Sequence, residues 1–147
     1  MMKNFVVRVP ATSANMGPGF DCLALTLDIW NEYHVTVGDV GISITGESAD
    51  LIPKSEQNLV YRSIQMIFEY LGEKMPAISI TYENIIPVGR GLGSSASAVV
   101  GGLLAGNKLC GNSIPKEVLL DMAADMEGHA DNSAAALFGG CQIVVND

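Results

Sequence analysis

The stretch PVGRGLGSSASAVVGGLLAG, Pro87 to Gly106, constrains this chain more than any other segment. Gly91 and Gly93 flank Leu92, so the backbone here can take positive φ and approach a neighbour without a Cβ clash. Ser94 and Ser95 follow and open a helix that runs to about Cys110, with Gly111 as its C-terminal signal. The small residues Ala96, Ala98, Gly101, Gly102 and Ala105 let other elements pack closely on that helix. Its first amide N–H groups have no intrahelical acceptor, and its dipole favours an anion there. Two readings follow. The segment is a serine-capped turn opening a core helix, or a cradle that holds phosphate with backbone amides. The residue types alone divide evenly between them.

Neither of two familiar phosphate motifs is present. A Walker loop needs G-x-x-x-x-G-K-S/T, and Lys108 lies more than three turns beyond the glycines. The dinucleotide fingerprint G-x-G-x-x-G places Ala96 at its last position, and the usual downstream acidic residue is absent near that spacing. The chain is acidic, with a net charge of −8, which argues against nucleic acid or an anionic membrane as partner. Any phosphate ligand must then be attracted locally, by backbone dipoles or a metal. Cys22, Cys110 and Cys141 are odd in number and far apart with no CxxC, as in a reduced intracellular protein. The start, MMKNFVVRVPATSAN, has no signal-peptide core, and the longest uncharged run, Gly91 to Asn107, is too short and too rich in Gly and Ser to span a bilayer. A cytoplasmic protein is expected.

The rest of the 147 residues reads as alternating strands and helices. FVVRV, Phe5 to Val9, is a strand that passes through Pro10 into the turn-rich loop ATSANMGPGFDC. IWNEYHVTVG puts Ile29, Asn31, Tyr33, Val35 and Val37 on one face of a strand, and Trp30, Glu32, His34 and Thr36 on the other. GISITG is a short strand expected to form a hairpin with it. NLVYRSIQMIFEYLG has helical spacing and stops at Gly72, AISITYENII alternates as a strand, and Ser113 with Pro115 opens a helix that Gly128 ends. GGCQIVVND reads as a final strand. The expected class is α+β.

Two further clusters carry candidate chemistry. In PATSANMGPGFDCLALTLD, Asn15 offers an amide and Asp21 a carboxylate, with Gly17, Pro18 and Gly19 shaping the turn. Such groups suit an amino-alcohol ligand, whose ammonium needs a carboxylate and whose hydroxyl needs a hydrogen bond. An Asx-type turn satisfied by its own side chains is the plainer reading of these residues taken alone. In DMEGHADNSAAALFGG, Glu127 ends a helix, where a carboxylate opposes the dipole, and His129, Asp131 and Asn132 follow within a turn. Zinc does not suit this set: there are two histidines in all, no HExxH and no cysteine nearby. Mg²⁺, which takes one or two carboxylates and phosphate oxygens, is compatible with Glu127 and a Ser94 or Ser95 hydroxyl. A solvated helix end is the plainer reading of Glu127.

P-x-x-x-G-L-G-S-S-A, Pro87 to Ala96, resembles the signature of the GHMP kinases, with Ser97 where that family often has a second Ala. The Asn15–Asp21 motif and the E-G-H-x-D-N turn from Glu127 to Asn132 resemble the homoserine kinase branch in particular. The resemblance implies ATP and Mg²⁺ as cofactors. Pro87, Val88, Gly89, Arg90, Gly91, Leu92, Gly93, Ser94, Ser95, Ala96 and Ser97 would wrap the ATP phosphates, with Asn58 near the adenine. Ser95 and Glu127 would hold Mg²⁺, and Asn15, Asp21, His129 and Asn132 would contact L-homoserine, Glu127 and Asn132 being the catalytic pair. Some GHMP kinases place a catalytic Asp near Asn132; Asn cannot act as a base, so catalysis here would rest on positioning and electrostatics. Asp131 would take part directly or hold His129 in place.

The implied fold is a two-layer α+β unit of the ribosomal-S5-domain-2-like kind, covering residues 1–147 as an N-terminal ATP-binding domain. The family's C-terminal domain, with a further glycine-rich loop and substrate-gripping arginines, is absent from this sequence. This chain alone is therefore expected to be weak or inactive in phosphorylating homoserine for threonine biosynthesis. The expected partner is a small molecule, with no nucleic acid and no membrane, and a homodimer is the assembly to test. Two other readings share the loop: a kinase of this family acting on another small alcohol, and a non-catalytic binding module.

Overall fold

A computed structural model describes residues 4–145. Strand β1 (Asn4–Ala14) pairs antiparallel with the long strand β2 (Leu23–Val37), and β3 (Gly41–Gly46) follows. A short 3-10 turn (Ala49–Leu51) leads to helix α1 (Leu59–Leu71), then β4 (Ile78–Asn84) and α2 (Ser94–Leu109). Helices α3 (Lys116–Glu127) and α4 (Asp131–Phe138) and strand β5 (Cys141–Ile143) complete the order. The sheet runs β1-β2-β4-β3, with β5 on the Leu23 end of β2. The buried side chains Phe5, Val7, Val9, Tyr33, Val35, Ile78, Ile80 and Tyr82 face the helices, while Val6, Arg8, Glu32, His34 and Glu83 are exposed. The result is two layers, helices on one sheet face.

The expected hairpin between β2 and β3 does not form. β3 pairs parallel with β4, and β4 pairs antiparallel with the His34–Val37 end of β2. The reason lies in burial. β4 buries every second residue from Ile78 to Asn84, whereas β3 buries only Ile44, so β4 takes the centre and β3 the edge. Parallel partners need a long crossover, and residues 47–77, with α1 among them, supply it. β2 also begins at Leu23, before the expected Ile29, and β1 continues to Ala14, so the turn-rich loop is shorter than expected. Between the pairs Pro10↔Trp30 and Thr12↔Thr26, three β2 residues stand opposite Ala11 alone. This bulge breaks the alternation and leaves Ile29 36% exposed, although its residue type places it inside. Residues 131–138 form a helix where only a turn was expected. The final strand spans Cys141–Ile143; Asn146 and Asp147 lie outside the described residues.

Helix α2 sits at the centre, touching α1, α3, α4, β1 and β2. Its glycines allow this. A Cβ on Gly101 would run into the Tyr33 ring, one on Gly102 into the Val60 carbonyl and Ser63, and one on Gly106 into Ile67. Local signals fix the other helices. Asn58 caps α1, accepting hydrogen bonds from the Val60 and Tyr61 amides at 2.9 and 3.3 Å, and Gly72 and Gly128 end α1 and α3 in the left-handed region. Replacing Gly102 by Ala forces α1 and α2 apart; a stability loss of about 1–3 kcal/mol is expected in chemical unfolding.

Candidate active site

The loop before α2 is set by a buried polar network. Asn31 Oδ1 accepts the Ile85 and Ile86 amides, and its Nδ2 donates to Asn84 Oδ1 at 2.8 Å. Asn84 in turn donates to the carbonyls of Glu47 and Ile86. The Tyr33 hydroxyl lies 3.2 Å from Asn31 Nδ2 and 3.0 Å from Ser97 Oγ. Burial pushes the Tyr33 phenol far above its ordinary range, so it stays protonated. Each member of the network is fully or nearly fully buried, so the chain leaves β4 in one geometry.

From that anchor the loop turns through Gly89, Gly91 and Gly93, all at positive φ. Gly93 is required twice over: its φ is +68°, and a Cβ there would fall on the Thr12 hydroxyl. It is also the N-cap of α2, and no side chain caps that helix. The Ser97 amide donates to the Gly93 carbonyl at 2.8 Å, which leaves the amides of Ser94, Ser95 and Ala96 without an intrahelical acceptor. Of the two readings of this segment the serine cap is thus absent, and the helix N-terminus faces a cleft of about 430 Å³ with its donors free among the described residues.

The cleft is lined by the glycine loop, Asn15, Ser94, Ser95, His129 and Asn132. Next to it lies a smaller, largely apolar slot of about 140 Å³ between Leu51, Ile52, Leu59, Tyr82 and Ala98. Val88, Ser94 and Ser95 line both, so the two spaces meet at the start of α2. Glu127, at the end of α3, reaches the same point: Ser95 Oγ donates to Glu127 Oε2 at 2.7 Å. The two residues are 32 positions apart in sequence, and the close packing of α2 on α3 joins them.

Some expected site residues are placed elsewhere. Ser97 and Ala96 are buried and line neither space; the Ser97 hydroxyl belongs to the Tyr33 network. Arg90 is exposed and lines neither. Asn58 borders the slot, but its oxygen is committed to the α1 cap and its nitrogen donates to the Pro53 carbonyl at 2.8 Å. Asn15 Oδ1 accepts the Asp21 amide at 2.7 Å, six residues on rather than the two of an Asx-type turn, and both residues take a positive φ that Asn and Asp tolerate. Asn15 reaches the cleft, whereas Asp21 is exposed and does not line it.

Two residues organise the far wall: Asp131, expected to take part directly or to hold His129, and Thr12, given no role from the sequence. Asp131 is fully buried, and its Oδ1 accepts from His129 Nδ1 and from the Asn132 amide, each at 2.8 Å. His129 thus presents Nε2 away from the carboxylate. Thr12, also fully buried, donates from Oγ1 to Asn132 Oδ1 at 2.7 Å and from its amide to the Leu92 carbonyl at 3.0 Å. Thr12 lies 120 positions from Asn132, so no sequence spacing signals the pair. For Asp131 a signal did exist: an acidic residue two places from a histidine in a short polar turn.

An α+β domain whose glycine loop leaves helix amides free, with no Walker lysine, is suited to hold an anion. Residues 58–140 match the family described as "GHMP kinases N terminal domain", and the chain belongs to that family. It is 48% identical over 138 residues to a homoserine kinase of Carboxydothermus hydrogenoformans, covering 91% of this chain and 45% of that one. It is 44% identical to a homoserine kinase of Synechocystis sp., with 99% of this chain and 49% of the relative covered. Among solved structures, a homoserine kinase from Cytophaga hutchinsonii superposes with a TM-score of 0.87 at 37% identity, over 99% of this chain and 50% of that one. A mevalonate kinase of Methanococcus jannaschii, at 16% identity and a TM-score of 0.73 over 94% of this chain and 52% of the other, shares the fold. The chain spans about half the length of the curated relatives it matches. Among the described residues no helix is long and apolar enough to cross a membrane.

Asp131→Ala removes the acceptor of two donors at once. A stability loss of about 1–3 kcal/mol is expected in chemical unfolding.

Proposed function

We propose that this chain is the N-terminal, nucleotide-binding part of a homoserine kinase that moves the γ-phosphate of ATP to the hydroxyl of L-homoserine. The observation that carries the reading is the meeting of an uncapped helix N-terminus with the Ser95–Glu127 pair at one end of the cleft. The identities of 44–48% to homoserine kinases support the choice of acceptor.

The residues present fit the groups this reading needs. The free amides of Ser94, Ser95 and Ala96 suit phosphate oxygens, and the adjoining apolar slot suits a flat base. Ser95 and Glu127 offer two oxygen donors; among the described residues no cluster of three or more His, Cys, Asp or Glu stands ready for a metal. That donor set matches Mg²⁺, which completes its shell with phosphate and water. When bound, Mg-ATP supplies the transferable phosphoryl group and a cation that offsets its charge.

The chain's own work is then positional. The helix N-terminus and the loop amides favour negative charge on the phosphates, without the cationic side chain an acidic protein of this kind lacks there. His129 and Asn132, held by Asp131 and Thr12, line the wall opposite the loop and orient the acceptor. Asn15 adds an amide at the cleft rim. Asn132 takes no proton, so the rate comes from alignment and charge stabilisation. The protein works in the cytoplasm on a small-molecule substrate.

In the full-length gene product, Glu127→Ala is expected to lower homoserine-dependent ADP release by about 100-fold or more. An unaltered rate, or a preference for mevalonate or a sugar over homoserine in the parent protein, would overturn the reading. Residues 1–147 alone are expected to show little or no homoserine-dependent turnover in the same ADP-release assay, since the remaining half of the relatives' length has no counterpart in them.

A further inference from the structure

Thr12 stands on β1 beside the bulge of β2 with no exposure to solvent. Its amide holds the Leu92 carbonyl of the glycine loop, and Gly93 packs directly on its side chain. A buried hydroxyl cannot give its proton to water, so it must find an acceptor or lose the full desolvation penalty. Among the described residues the one hydrogen-bond partner of Thr12 Oγ1 is the Asn132 side chain, at 2.7 Å. The proton therefore goes to Asn132 Oδ1.

This settles which end of the amide faces the cleft. Were the amide reversed, Nδ2 would donate to Thr12 and the threonine proton would be left without an acceptor. With Oδ1 turned inward to Thr12, the NH₂ group is the end of Asn132 that meets the cleft it lines. The Asn132 backbone is fixed as well, because its amide donates to buried Asp131. Side chain and main chain are thus each tied by a buried group from a different element.

We infer that Thr12 is a positioning residue that locks Asn132 as a hydrogen-bond donor into the cleft, where it selects an oxygen with free lone pairs, such as the acceptor hydroxyl or a phosphoryl oxygen. The inference rests on the homoserine kinase reading for the identity of that oxygen. It makes Asn132 a fixed donor, and it assigns the choice to a residue that does not touch the ligand.

The test uses the full-length protein and a mutant cycle. Thr12→Val keeps shape and removes the donor. It is expected to lower kcat by about 10- to 100-fold while KM for ATP moves by less than about threefold. Thr12→Ser is expected to restore most of the rate. Asn132→Ala should cost a similar factor, and adding Thr12→Val to it should cost little more, because the two act as one unit. A Thr12→Val enzyme with unchanged kcat beside an impaired Asn132→Ala enzyme overturns the inference, as do losses that multiply in the double variant. Unchanged kcat in Asn132→Ala overturns the functional reading instead. The orientation is then decided by NMR of the same protein, where a Thr12 hydroxyl proton protected from exchange supports the lock and its absence overturns it. Should Thr12→Val lose its cooperative thermal transition, Thr12→Cys, a weaker donor of similar volume, carries the same expectations.

Discussion

The close approach of α2 to its neighbours is the constraint on which the rest depends. Gly101 lies against the Tyr33 ring, Gly102 against the α1 backbone and Gly106 against Ile67. Any Cβ at these points would push the helix outward. Because the helix lies this deep, its N-terminus opens at a cleft bounded by β1, the glycine loop and α4. The same depth brings Ser95 within hydrogen-bond distance of Glu127. Packing at the middle of the helix thus decides where its electrostatic end points.

Two buried polar systems hold the cleft from opposite sides. On one side Asn31, Asn84, Tyr33 and Ser97 fix the exit of β4 and so the start of the glycine loop. On the other, Asp131 and Thr12 hold His129 and Asn132. Polar groups removed from water are costly unless satisfied, and a satisfied network admits few alternative geometries. Two atoms of α4 are buried with no partner among the described residues, Ser133 Oγ and Asp131 Oδ2, and the second breaks this pattern. It is a local stability cost, carried by the carboxylate that orients the histidine.

The glycine loop was legible because its cues are contiguous. Glycines at 91 and 93, followed by serines and a run of small residues, lie within one turn and the helix after it. The Glu127–Asn132 cluster was legible in the same way. Ser97 marks the reach of contiguous cues. It follows two serines that line the cleft, but two positions on from Ser95 the helix turns its hydroxyl inward to Tyr33. The β2–β3 hairpin failed for a related reason. Three connecting residues invite a local pairing, yet the more apolar β4 displaces β3 to the sheet edge. Helix α4 was missed because it is eight residues long, with an acidic start that also suits a turn.

The sequence by itself determined the helix and strand periods, the stops at Gly72 and Gly128, the glycine turn before a helix and the resemblance that names its ligand class. Those properties depend on residues within a few positions of one another, where backbone sterics and side-chain periodicity act directly. Only the tertiary structure decided the strand order, the burial of Asp131 and the bond from Thr12 to Asn132. Those depend on which distant segments share a desolvated space, and a hydroxyl in a strand pattern carries no mark of the amide 120 residues away that it will meet.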